Sequence, residues 1–292
     1  MIEVNNIAKK YKGAKKPALN GITFSVGKGV TAVLGRNGAG KTTLMRILST
    51  QLTPTSGSAT LDGYDIINNP QKVREKIVSI PQEASPIGIL TPLEHIIIYL
   101  SARGVATSDA KKAAHRAMKA LDIDDVANKT TDELSGGMKR KVFVAMALAS
   151  NAEVIFLDEP TTGLDPISRL EVWHAIRALK GTVVLTTHYM EEAKELAKDV
   201  ILVDNGRIVA RGTIEDLLYK YRNLVRIEGM KVGKNWHKAG TFYISYVQKS
   251  QADKYVGKNV TIKKFDLEDI FIMKGLGGNI SQETESSSGD WE

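Results

Sequence analysis

At 292 residues the chain has room for two domains of ~150 residues, or for one large and one small. Forty Lys and Arg against thirty-three Asp and Glu leave a net charge of +7, which suits a phosphate-rich ligand or an anionic surface but is too diffuse to indicate nucleic acid. The absence of cysteine excludes disulfide scaffolds, thiol catalysis and Cys-ligated zinc or iron–sulfur centres.

From the N-terminus to about Val26 the sequence reads as short strands broken by Gly-rich turns, with no apolar stretch long enough for a signal peptide. The run VTAVL (Val30–Leu34) leads into the Gly-rich loop GRNGAGKT, and KTTLMRILST follows with helical spacing at Leu44, Ile47 and Leu48. Strand, glycine loop and helix open a parallel α/β unit. Gly35, Arg36, Asn37, Gly38, Ala39, Gly40, Lys41 and Thr42 fit G-x-x-x-x-G-K-[ST], with Thr43 next on the helix. In such a loop the glycines let backbone N–H groups close around phosphate oxygens and the helix N-terminus adds positive dipole. Lys41 is then placed to reach the β- and γ-phosphates of ATP, and the Thr42 hydroxyl to meet Mg²⁺.

The stretch from Gln82 to Ser150 is mostly helical in pattern, and a helical subdomain at about 84–150 is expected as an insertion into the α/β core. Its most apolar run, Leu93 to Leu100, contains Glu94 and His95 and is far short of the ~18 residues of a membrane span. Within it, ELSGGMKRK reads as a helix start with Ser135 as N-cap, Gly136 and Gly137 permitting close approach, and an anion site at the N–H groups. Taken alone, it reads rather as a capped helix with a basic solvated face. VIFLDEP (Val154–Pro160) sets Asp158 at the C-terminal end of a buried strand, where it would hold Mg²⁺, and Glu159 beside it as a general base for an attacking water. Taken alone, these are two acids closing a strand. TVVLTT (Thr182–Thr187) is a further buried strand, and DVILVDNGRIVARG predicts a hairpin turning at Asn205-Gly206. A change of character at about Asn223 marks a small α/β appendage over 223–278, with three strand-like runs and the helix DLEDIFIMKG. The tail 279–292 is Ser-rich, carries four acids, and is expected to be disordered.

In their order, the phosphate loop, LSGGM, VIFLDEP, TTGLD and a strand ending in His188 resemble the ATPase subunit of an ABC transporter over roughly residues 1–222. The resemblance implies a P-loop NTPase core with an antiparallel β subdomain, the inserted helical subdomain and the small appendage. By the same resemblance Tyr11 stacks on adenine, and Gln82 touches Mg²⁺ and faces the membrane subunit. Asp165 then lies at a dimer seam and His188 near the γ-phosphate. It further implies a head-to-tail dimer of cassettes that meets the permease through the helical block, and a protein peripheral on the cytoplasmic membrane face that borrows its spans from integral-membrane permease subunits. Met138 departs from the usual Gln ending of the signature, and with FDLEDIFIMKG it resembles the branch that exports drugs and polysaccharides. A single phosphate loop argues against translation factors, and its spacing of about a hundred residues from the signature against chromosome-maintenance ATPases. A soluble single-cassette assembly-factor ATPase and an importer subunit stay open at this point.

Overall fold

Alternation and continuous apolar runs sort the strands into two kinds of sheet. The computed structural model describes residues 1–232 and 236–275. Its chain divides into two units, Met1–Arg211 and Gly212–Glu292.

In the first unit β1 (Ile2–Lys9) pairs antiparallel with β2 (Leu19–Val26). Leu19, Ile22, Phe24 and Val26 are buried while Asn20, Thr23 and Ser25 face outward, the period of a strand with one wet face. Next come β3 (Gly29–Leu34), α1 (Lys41–Leu48), β4 (Ser56–Leu61) and β5 (Tyr64–Asp65). The antiparallel sheet has the order β2-β1-β4-β5.

After α2 (Pro70–Lys76) and β6 (Ile77–Ile80), three helices pack on one another: α3 (Pro92–Ala102), α4 (Thr107–Ala120) and α5 (Gly136–Ser150). The start of α3 is a capping box, in which Thr91 Oγ1 accepts from the Glu94 N–H at 3.2 Å and Glu94 Oε2 accepts from the Thr91 N–H at 2.8 Å. The chain continues through β7 (Val154–Asp158), α6 (Pro166–Arg177), β8 (Thr182–Thr187), α7 (Met190–Leu196), β9 (Asp199–Asp204) and β10 (Arg207–Thr213). Asn205 and Gly206, both with positive φ, form the two-residue turn between β9 and β10.

The second sheet has the order β10-β9-β3-β8-β7-β6. β3 runs parallel to β8 and β9, and β7 runs parallel to β8 and β6. Every residue of β7 and β8 is buried, which is why these runs are apolar without alternation. Parallel strands end on one edge, so the residues following β3, β8, β7 and β6 gather there. Those residues are the phosphate loop, His188, Glu159 and Gln82. Phe156 of β7 is completely buried. Phe156→Ala should lower unfolding free energy by ~3–5 kcal/mol, read as a shifted urea midpoint, and an unmoved midpoint would contradict this packing.

The second unit contains α8 (Ile214–Tyr219), β11 (Leu224–Gly229), β12 (Trp236–Ala239), β13 (Phe242–Gln248), β14 (Thr261–Lys264) and α9 (Leu267–Gly275). Its sheet is antiparallel in the order β12-β13-β11-β14. α8, grouped by sequence with the first domain, packs on α9 in this unit. Val225 and Ile227 of β11 enter one core with Val232, Val247 and Ala252. On the opposite face Arg226 Nη1 reaches Asp269 Oδ1 at 3.0 Å, and that oxygen also accepts from the Tyr246 hydroxyl at 3.1 Å. This charged pair ties α9 to the sheet. The expected tail at 279–292 lies outside the described residues.

Candidate functional site

Gly40 caps α1 with φ of +106°, and a Cβ there would stand 2.5 Å from the Ala18 carbonyl oxygen. Glycine is needed on both counts. The turn it makes sends Lys41 back across the loop. Its Nζ donates to the carbonyls of Gly35 at 2.9 Å and Arg36 at 3.3 Å, and stands 3.2 Å from Glu159 Oε1. Lys41 is 5% exposed and Glu159 6%. A buried ammonium requires an anion, and here the carboxylate at the end of β7 supplies it.

Glu159 is the centre of the cleft. Its backbone is left-handed at φ 47°, a conformation costing of order 1–3 kcal/mol. Two bonds hold it there, from its N–H to the Thr186 carbonyl at 3.1 Å and to Thr186 Oγ1 at 3.0 Å. The carboxylate oxygen Oε2 accepts from Thr162 Oγ1 at 3.0 Å and Gln82 Nε2 at 3.3 Å, and stands 3.2 Å from His188 Nδ1. Burial pushes the Glu159 carboxyl up, but the Thr162 hydrogen bond and the charges of Lys41 and His188 outweigh it and hold the group below the usual carboxylate range. Asp158, also buried, accepts a short hydrogen bond from Thr186 Oγ1. The parallel register sets Asp158 opposite Thr186.

The cleft has a volume of about 390 Å³ and is lined by Asn37, Gly38, Gly40, Lys41, Thr42, Thr43, Gln82 and Glu159 among others, within the ~300–1,000 Å³ of small-molecule sites. Tyr11 is 42% exposed, with its hydroxyl 3.2 Å from Thr43 Oγ1 at the rim. Among the described residues no group of three His, Cys, Asp or Glu could hold a metal unaided. That donor set fits Mg²⁺, which is ordinarily held by one or two carboxylates together with substrate phosphates.

Ser135, Gly136, Gly137 and Asp165 gather elsewhere. Ser135 caps α5 by accepting from the Met138 N–H at 3.2 Å. Asp165 caps α6 through the N–H groups of Ile167 at 3.0 Å and Ser168 at 3.1 Å. The two helix starts meet closely: a Cβ on Gly137 would lie 2.7 Å from Ser168 Cβ. None of these four residues lines the cleft among the described residues. One chain thus carries a phosphate-loop cluster and a separate signature cluster.

The family model for ABC transporter proteins matches residues 19–162. The chain is 41% identical to the daunorubicin resistance ATP-binding protein DrrA3 of Streptomyces coeruleorubidus, covering 74% of this chain and 69% of that protein. It is 37% identical to the doxorubicin resistance ATP-binding protein DrrA of Mycobacterium tuberculosis, covering 75% and 67%. The chain belongs to the ABC transporter family. Its structure matches a dimeric ATP-binding cassette in a post-hydrolysis state bound to ADP and phosphate, at 25% identity and a TM-score of 0.65 over 73% of this chain and 98% of that one. This ABC protein is accordingly a nucleotide-binding, ATP-hydrolysing subunit coupled to transport. Among the described residues no helix is long and apolar enough to cross a membrane.

Three supporting residues of this ABC ATPase escaped the sequence. Thr162 and Thr186 hold Glu159, and their signal was only two threonine pairs flanking known motifs. Glu192 is fully buried, accepting from Thr161 Oγ1 at 2.7 Å and Trp173 Nε1 at 3.0 Å. A surface helix pattern hides such a carboxylate.

Proposed function

We propose that two copies of this chain, head to tail, bury two Mg-ATP molecules and drive an export permease on the cytoplasmic face of a membrane. In each half-site Lys41 and the loop residues Gly35–Gly40 bind the phosphates, with Thr43 beside them, and Tyr11 stacks on adenine. Thr42, Asp158 and Gln82 would hold Mg²⁺, which supplies charge neutralisation at the β- and γ-oxygens when bound. Ser135, Gly136 and Gly137 of the second copy cap the γ-phosphate, with Asp165 at the seam.

Glu159 takes a proton from water as its oxygen attacks the γ-phosphorus and the bond to the bridging oxygen breaks. His188, 3.2 Å from the same carboxylate, steadies the γ-phosphate. The observation that carries this reading is the separation of the signature cluster from a cleft already furnished with Lys41, Gln82 and Glu159. A γ-phosphate in that cleft is capped only by another copy. Export, rather than import, is supported by relatives that are drug-resistance ATP-binding proteins.

The permease contact is proposed at the segment after Gln82, where Ile87 is 60% and Ile89 80% exposed and Ile98 stands out from α3. Exposed large apolar side chains of this kind suit a protein partner. Affinity purification of the chain from detergent-solubilised native membranes should yield a stoichiometric partner with several spans. Ile89→Asp should lose that partner while keeping the ATPase rate of the free chain. Recovery of the chain only from the soluble fraction, without such a partner, would replace transport by a soluble ATPase role.

A further inference from the structure

Two stretches, one leading into α3 and one leading into α5, are bonded along their length. Arg140 of α5 donates from Nη2 to the Gln82 carbonyl and from Nη1 to the Ala84 carbonyl at 3.5 Å. On the other side of Ser135, the Thr131 N–H donates to the Leu90 carbonyl at 2.9 Å and the Asp132 N–H to the Gly88 carbonyl at 3.1 Å. Thr131 Oγ1 adds a bond to the Ile87 carbonyl at 2.9 Å, and His95 Nε2 stands 3.1 Å from the same oxygen. Gly88 is seated so closely that a Cβ would fall 2.2 Å from the Asp132 carboxylate oxygens. The segment 82–90 is therefore fastened before the signature serine, to the Thr131 and Asp132 backbone, and after it, to the Arg140 guanidinium.

Arg140 occupies the critical end of this fastening. Its guanidinium is half-buried, and burial depresses its pKa, so its donors need acceptors. One of the carbonyls it meets belongs to Gln82, whose side chain points at Glu159 Oε2 from 3.3 Å, and the other lies two residues on. A planar fork with donors in fixed directions orients a loop in a way that a lysine, with one rotatable head, does not. The next residue, Lys141, pairs with Glu171 of α6 at 3.4 Å, so α5 is anchored to the Asp165 helix as well.

We infer that Arg140 is a positioning residue that fixes Gln82 relative to Ser135, so that the half-site a chain keeps and the half-site it offers to its neighbour move as one piece. This rests on the assignments of Gln82 and Ser135 above. The contact acts on the reacting geometry and leaves the residues that bind phosphate alone, which separates kcat from KM.

Steady-state ATPase assays on the full chain test it. Displacing a catalytic group by about 1 Å can cost ~100-fold, so Arg140→Ala should lower kcat ~10–100-fold. KM for ATP should change by less than about threefold, since Lys41 and the phosphate loop, which carry most of the ground-state binding, are untouched. Arg140→Lys should recover part of the loss. Because Arg140 acts through Gln82, the double variant with Gln82→Ala should be no slower than Gln82→Ala alone. Multiplying losses in the double variant would overturn the proposal, as would an Arg140→Ala rate within about twofold of the parent while Gln82→Ala is slow. A parental rate for Gln82→Ala would overturn the Gln82 assignment, and the role of Arg140 with it. If Arg140→Ala does not fold, Arg140→Lys carries the same comparison, and a loss that persists in the Gln82→Ala background overturns the proposal.

Discussion

Glu159→Gln is expected to lower ATP hydrolysis by ~10²–10⁴-fold while leaving ATP binding intact, the range for removal of a general base. Glutamine keeps the shape of the side chain and can still accept from Thr162 Oγ1, which lies 3.0 Å from Oε2. It removes the negative charge 3.2 Å from Lys41 Nζ. Lys41 is then released for the nucleotide without first breaking an ion pair, so affinity for ATP should be equal or higher. With ATP bound and unhydrolysed, the variant should accumulate as a dimer in size-exclusion chromatography. A monomer at saturating ATP would count against the head-to-tail scheme.

The same carboxylate sets a pH expectation. Its pKa is held below the usual range in the folded chain, so it is ionised at every pH above the ~4.3 of a free glutamate. The stability from its pairing is present above the unfolded pKa and is lost as pH falls through the lowered folded value. In kcat/KM, which reports the free enzyme, an acid limb centred between about pH 5 and 7 therefore belongs to another group.

The strands that build the catalytic edge were legible because each is buried on both faces. Val30–Leu34, Val154–Asp158 and Thr182–Thr187 are rich in apolar side chains without alternation, and such runs need no partner to be recognised. The phosphate loop was legible for a local reason too, since its glycines and Lys41 act within eight consecutive residues. What stayed hidden depends on register and tertiary contact. Thr186 meets Asp158 only because β7 and β8 pair in that register, and nothing in TVVLTT announces it. Arg140 read as one cation of a basic helical face, although its guanidinium is turned onto the carbonyls of Gln82 and Ala84. β12 was missed because WHKA is a short edge strand with a single buried residue, His237, and edges need little hydrophobicity.

Lys41→Met should weaken ATP binding at least ~100-fold, because charge-assisted contacts at about 1.5–3 kcal/mol each are removed from the phosphates. Methionine retains most of the aliphatic stem, so calorimetric titration with ATP reads the ammonium rather than the packing. Unchanged affinity would remove Lys41 from the phosphate site. The substitution has a second consequence that identifies what the ion pair does at rest. It leaves Glu159 buried at 6% exposure with the cation 3.2 Å away deleted, so burial, the largest influence on its carboxyl, is less opposed. The pKa of Glu159 should rise, and the melting temperature at pH 7 should fall, since an unpaired buried charge destabilises. Adding Glu159→Gln to Lys41→Met removes that orphaned charge and should restore part of the melting temperature without restoring ATP binding. Recovery in stability alone would establish that Lys41 and Glu159 neutralise each other until nucleotide takes the lysine. Equal melting of all three variants and the parent would mean that Thr162, Gln82 and His188 suffice to hold the carboxylate.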